Sequence, residues 1–92
     1  MSTDLGRRMD IAASTADMQW SCERPGLWNG TNGVNTASAH KVREGGLHST
    51  GWMWVTRVNG EYLTNADSLA HAKVCVAEHL RTMRRQWLQE LS

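Results

Sequence analysis

Phenylalanine is absent from this 92-residue chain, tyrosine and proline occur once each, and there are only two cysteines. Cys22 and Cys75 are too few for the disulfide framework that staples small secreted domains, so two free thiols in a reducing compartment are expected. No run approaches the roughly 18 apolar residues of a membrane-spanning helix, and the opening Met1-Ser2-Thr3-Asp4-Leu5-Gly6-Arg7-Arg8 leads into no apolar signal core. A cytosolic chain is therefore expected. Charge of one sign is lacking too. Ten Lys plus Arg stand against nine Asp plus Glu, a net +1, which excludes both a histone-like coat and a strongly acidic mimic of DNA. A chain this short buries only about 60 to 65% of its unfolded surface, which disfavours a deep catalytic cleft around a wrapped cofactor. With 40% hydrophobic and 21% charged residues, and no linker or repeat, residues 1–92 read as a single small soluble domain.

The clearest element present is C-terminal. Leu69, Ala72, Val76, Leu80, Met83, Trp87 and Leu91 recur at spacings of three and four, one stripe of a long amphipathic helix running from Ala66 to about Leu91. Asn65 reads as its N-cap, and Asp67 and the trio Arg81, Arg84 and Arg85 suit the two ends of its dipole. His71, Glu78, Arg81 and Arg85 fall opposite the stripe as a solvated face, with Lys73 and Arg84 along one flank. Just upstream, Trp52–Val58 and Glu61–Thr64 flank Asn59-Gly60, a pair that tolerates the positive φ of a tight hairpin turn. Met18, Trp20 and Cys22 alternate with polar residues up to Arg24-Pro25-Gly26, which marks a strand closing on a turn. Val34–Arg43 alternates as well, with Ala37, Ala39, Lys41 and Arg43 on one side. Leu27–Gly33 holds two Asn-Gly pairs and reads as a turn segment, and residues 1–15 as a tail or a short helix. The predicted class is α+β: an antiparallel sheet of three or four strands packed against one long C-terminal helix.

Catalytic signatures are missing: there is no glycine-rich phosphate loop, nucleophile elbow or zinc-protease helix motif, and no cofactor is implied. His71 and Cys75, four apart on the helix, could join Cys22 with His40 or His48 around zinc, but no paired Cys-x-x-Cys knuckle accompanies them. Charge is better organised. Residues 1–23 carry a net −2, residues 24–60 a net +3 through Arg24, Lys41, Arg43 and Arg57 against Glu44, and the remainder balances. Eight of the ten basic residues are arginine, whose planar fork matches phosphate and carboxylate. Asn29, Asn32 and Asn35 beside Trp28 offer amide groups for base edges and an aromatic face for stacking; the plain alternative is a turn-forming surface loop. Trp20, Trp54 and Trp87 lie on apolar stripes and are expected in the core. Trp28 is the candidate exposed anchor for a partner, with a lid over the sheet edge as the alternative.

The pattern Trp52-Met53-Trp54-Val55, Asn59-Gly60-Glu61-Tyr62-Leu63-Thr64 and Ala66-Asp67-Ser68-Leu69-Ala70-His71-Ala72-Lys73, followed by a helix, resembles those of many small phage-encoded proteins. In length and opening residues the whole chain resembles the phage anti-CRISPR proteins of type I-F, most nearly the family catalogued eighth in that series. The resemblance implies a small non-enzymatic inhibitor in the host cell cytoplasm. It would dock on the repeated Cas backbone subunits and the large subunit of the type I-F surveillance complex, near the guide RNA, and keep target DNA from pairing with the guide. It implies neither a membrane nor a small-molecule substrate. These proteins share no residue motif, so the expected contact residues come from charge and turn chemistry: Arg24, Trp28, Asn29, Asn32, Lys41, Arg43 and Arg57. The rival reading is an autonomous small phage nucleic-acid-binding regulator; a metal-dependent enzyme ranks last.

Overall fold

The computed structural model describes residues 2–43 and 51–91. In chain order the elements are α1 (Ser2–Ser14), β1 (Gln19–Arg24), β2 (Leu27–Thr31), β3 (Thr36–Arg43), β4 (Trp52–Val58), β5 (Glu61–Ala66) and α2 (Leu69–Glu90). The strands form an antiparallel meander in the order β1-β2-β3-β4-β5, and α2 packs on one face of it. The α+β class with its long C-terminal helix is as the sequence predicts. The sheet, however, has five strands among the described residues rather than three or four, and residues 2–14 form a complete helix.

The additional strand is β2, which the sequence marks as a turn. Asn29-Gly30 lies inside it, with Gly30 directly opposite Trp20 and Ala37. A Cβ on Gly30 would come within 3.0 to 3.1 Å of three Trp20 ring atoms, so the glycine leaves the slot that the indole fills. The turns follow their sequences more directly. Asn59 and Gly60 both have positive φ, 53° and 84°, as a two-residue hairpin turn with right-handed twist requires. Pro25-Gly26 joins β1 to β2, with Gly26 at φ 84° in the position that a proline-initiated turn reserves for glycine.

Alternation along the strands places Trp20, Trp28, Ala37, Ala39, Trp54, Thr56 and Val58 toward α2. Small residues occupy the centre: Ala39, Ala66 and Ala72 form one buried cluster, flanked by Trp20, Trp28, Trp54 and Leu69. Ala37, Val58, Val76 and Leu80 form the second, flanked by Met18, Trp20, Leu63 and Met83. Burying Val76 and Leu80 contributes about 2 kcal/mol each. Thr56 is wholly buried, yet its hydroxyl donates to Thr64 O at 2.7 Å and accepts from Thr64 N at 3.2 Å, so no polar group is stranded. The cap of α2 is Ser68, whose side chain accepts from His71 N at 3.0 Å. Asn65, expected in that role, pairs with Val55 inside β5, because the strand runs on to Ala66 and the helix begins at Leu69, three residues later than its expected start.

At 22 residues, α2 is about 33 Å long and overshoots strands of five to eight residues. Its far end meets α1, where Ile11 and Trp87 share a groove with Arg7, Asp10, Glu90 and Leu91. Trp87 is half-buried there and belongs to neither sheet cluster. The molecule is accordingly elongated, 59 Å by 24 Å by 19 Å.

Candidate functional site

The seven residues expected to contact a partner do not form one surface. The register sends Lys41 and Arg43 to the α2 side of the sheet and Asn29 and Arg57 to the uncovered side. Arg24 is exposed at the β1–β2 turn, and Asn32 lies in the loop between β2 and β3. The cationic middle third is therefore split between two faces.

The asparagines are largely occupied by the fold. Asn32 Nδ2 donates to Ser14 O at 2.9 Å and Ala16 O at 3.0 Å, while its Oδ1 accepts from Val34 N at 3.0 Å and Asn35 N at 2.8 Å. Asn35 Nδ2 adds a bond to Ser14 O at 2.7 Å, and Asn59 Nδ2 donates to Asn35 Oδ1 at 2.9 Å. Asn59 Oδ1 accepts from Thr36 N at 2.9 Å. This amide chain ties the C-terminal carbonyls of α1 to two loops of the sheet, satisfying helix-end acceptors that otherwise need water. Asn32 is thus a structural residue with its amide donors and acceptor in use. Asn29 donates Nδ2 to Glu23 Oε2 at 2.9 Å.

Trp28, expected as an exposed anchor, is instead half-buried against the Ala39, Ala66 and Ala72 cluster. Lys73, on the flank of α2, covers it, with Nζ 4.6 Å from the Trp28 ring centroid and 6.0 Å from that of Trp20. The lid alternative describes Trp28 better. The exposed indole is Trp52, which retains 55% of its surface in water. It opens β4 directly across from Arg43, two pairs beyond Lys41 and Trp54, and Lys41 Nζ lies 5.3 Å from its ring centroid. Both lysines of the chain thus sit over tryptophan, a contact worth about 0.5 to 1 kcal/mol at exposed sites.

Trp52, Lys41 and Arg43 mark the end of the β3–β4 ladder away from Thr36 and Asn59, where the amide chain ties the sheet to α1. The cause is local: the run of Lys41 to Arg43 on one strand pairs with Trp52 to Trp54 on the next, so charge and aromatic alternate across a single ladder. Chemically, this end presents an aromatic face and two cations, a combination suited to gripping a partner. The sequence marks both cations, whereas Trp52 reads there only as the first residue of a hairpin strand. Trp54 packs against the Ala39, Ala66 and Ala72 cluster, and Trp52, at the strand start, remains exposed.

Metal ligation finds no support in the geometry: among the described residues no three of His, Cys, Asp and Glu gather as a metal site. Cys22 is exposed, with Sγ donating to Arg24 O at 3.2 Å, Cys75 is half-buried on α2, and both are free thiols. His48, one of the suggested ligands, and Glu44, counted in the charge of the middle third, lie outside the described residues. No helix among the described residues is long and apolar enough to cross a membrane. No protein-family model, curated protein or solved structure matches the chain.

Proposed function

We propose that this protein is a stoichiometric, non-enzymatic phage inhibitor that binds the type I-F CRISPR surveillance complex near its guide RNA and blocks hybridisation of target DNA. The observation that carries a binding role is the exposed Trp52 beside Lys41 and Arg43. Tryptophan and arginine dominate the energetics of protein recognition, and a large aromatic ring left in water on a rigid strand loses little entropy on docking. The specific target rests on the resemblance of the whole chain to the type I-F anti-CRISPR proteins. The Cas backbone and large subunits are the proposed partners, and neither cofactor nor small-molecule substrate takes part. An elongated body with contact residues on both faces of one sheet suits a wedge between subunits. With a net charge of +1, obstruction is a better account than imitation of DNA.

The same cluster supports a second reading, an autonomous nucleic-acid-binding regulator, because an indole flanked by cations is also a platform on which an unpaired base stacks. The two differ in a simple measurement. A regulator binds free single-stranded RNA or DNA by itself, with affinity that falls steeply with salt. The inhibitor co-elutes with purified surveillance complex on size exclusion, and Trp52→Ala weakens that association. Tight salt-sensitive binding to free RNA without co-elution would replace the first reading by the second.

A further inference from the structure

On the face that α2 leaves uncovered, one register row crosses all five strands: Ser21, Asn29, Ser38, Arg57 and Tyr62. Its first four members, Ser21, Asn29, Ser38 and Arg57, line an open cleft of about 320 Å³ together with Gln19, Thr31 and Thr36 of the adjacent row. The side chains there are hydroxyls and amides with a single ionisable group, Arg57. Among the described residues that guanidinium has no hydrogen bond or ion pair, and the Ser21 and Ser38 hydroxyls have none either. Glu61, beside Tyr62 on β5, lines a separate groove with His79 and Met83 of α2, and the carboxylate at the far edge of this face, Glu23, is held by Asn29 two strands away from Arg57. Arg57 is thus an unpaired fork of donors in the middle of a polar, uncharged surface, next to Tyr62, which is 60% exposed.

We propose that this cleft docks an acidic segment of a protein partner, with one aspartate or glutamate carboxylate paired bidentately to Arg57. Charge complementarity selects the occupant. A nucleic-acid strand presents a charge at every nucleotide and is tracked by a series of cations, whereas this cleft has one cation and Glu23 at its β1 edge, about 14 Å away at the strand spacing of a sheet. A lone carboxylate needs one fork. The Ser21 and Ser38 hydroxyls and the free carbonyl oxygen of Asn29 then meet the peptide groups on either side of the acidic residue. The site is separate from the Trp52 end, and its ligand chemistry does not depend on which complex is bound.

The test uses the full chain, ¹⁵N-labelled, titrated with a capped Gly-Glu-Gly peptide, its isosteric Gly-Gln-Gly counterpart, inorganic phosphate and a short oligouridine. The glutamate peptide is expected to move the Ser21, Asn29 and Ser38 amides and the Arg57 Nε–H resonance, binding about tenfold more tightly than the glutamine peptide. Arg57→Gln abolishes that preference, and Arg57→Lys, which keeps charge but loses the fork, retains part of it. Arg57 is exposed, and an unchanged amide spectrum elsewhere verifies that each variant folds. Equal response to the two peptides would overturn the proposal. So would phosphate moving the row as strongly as the glutamate peptide, or oligouridine moving it in preference. None of these outcomes touches the Trp52 reading, whose test is association with the surveillance complex.

Discussion

Arg84 on α2 reaches Thr15, 69 positions earlier, with Nε 2.9 Å from Thr15 Oγ1 and a terminal guanidinium nitrogen 3.2 Å from Thr15 O. Thr15 is only 4% exposed, and its hydroxyl donates a hydrogen bond to Ile11 O at 2.6 Å. One arginine therefore closes the C-terminal end of α1 and fixes that helix against α2. Arg84→Leu is expected to cost about 1 to 3 kcal/mol, because it leaves buried acceptors unpaired. Hydrogen exchange should rise through α1 while the sheet stays protected. Equal protection of α1 in variant and parent would show that the clamp contributes nothing.

Glycine substitutions should act with opposite signs in two places. Gly30→Val forces the Trp20 ring off β2 and is expected to destabilise by about 1 to 3 kcal/mol in urea unfolding, with a change in tryptophan emission. Gly6→Ala, in α1 with nothing within 4 Å of the added carbon, should stabilise by about 0.5 to 1 kcal/mol.

The amide chain gives a prediction about where Asn32 acts. Asn32→Ala removes four hydrogen bonds to loop and helix-end backbone and is expected to lower stability by about 1 to 3 kcal/mol. Partner affinity of the folded fraction should be unchanged. A variant of full stability with weakened partner binding would return Asn32 to the contact surface.

How far the sequence discloses the molecule depends on whether a residue's role is local. The Asn59-Gly60 hairpin, the stripe of Ala72, Val76 and Leu80 and the placing of Ala37 and Ala39 on one side of a strand follow from short-range rules, and all are present. Strand β2 is hidden because Asn29-Gly30 has the chemistry of a turn, while the reason for its glycine, the Trp20 ring, lies ten positions upstream. The contact residues are harder still. Asn32 and Trp28 read as recognition groups until Ser14, Ala16 and Lys73 arrive from distant segments and occupy them. The alternation that sends Lys41 and Arg57 to opposite faces is legible in each strand alone, but the pairing of β3 with β4 is needed to relate them.

Trp52 should behave as an anchor without a structural duty. Trp52→Ala is expected to shift the thermal midpoint little, since the ring is 55% exposed, yet to weaken partner binding by about 2 kcal/mol, roughly 30-fold. Acrylamide should quench Trp52 ahead of the other four indoles in the free protein, and partner binding should shield it.

Target DNA capture by purified type I-F surveillance complex, measured while this protein is titrated in, tests the central claim most directly. Capture is expected to fall to near zero at a small stoichiometric ratio, and Trp52→Ala should need far more protein to reach the same loss. Undiminished capture at several-fold excess of the folded parent protein would contradict the account.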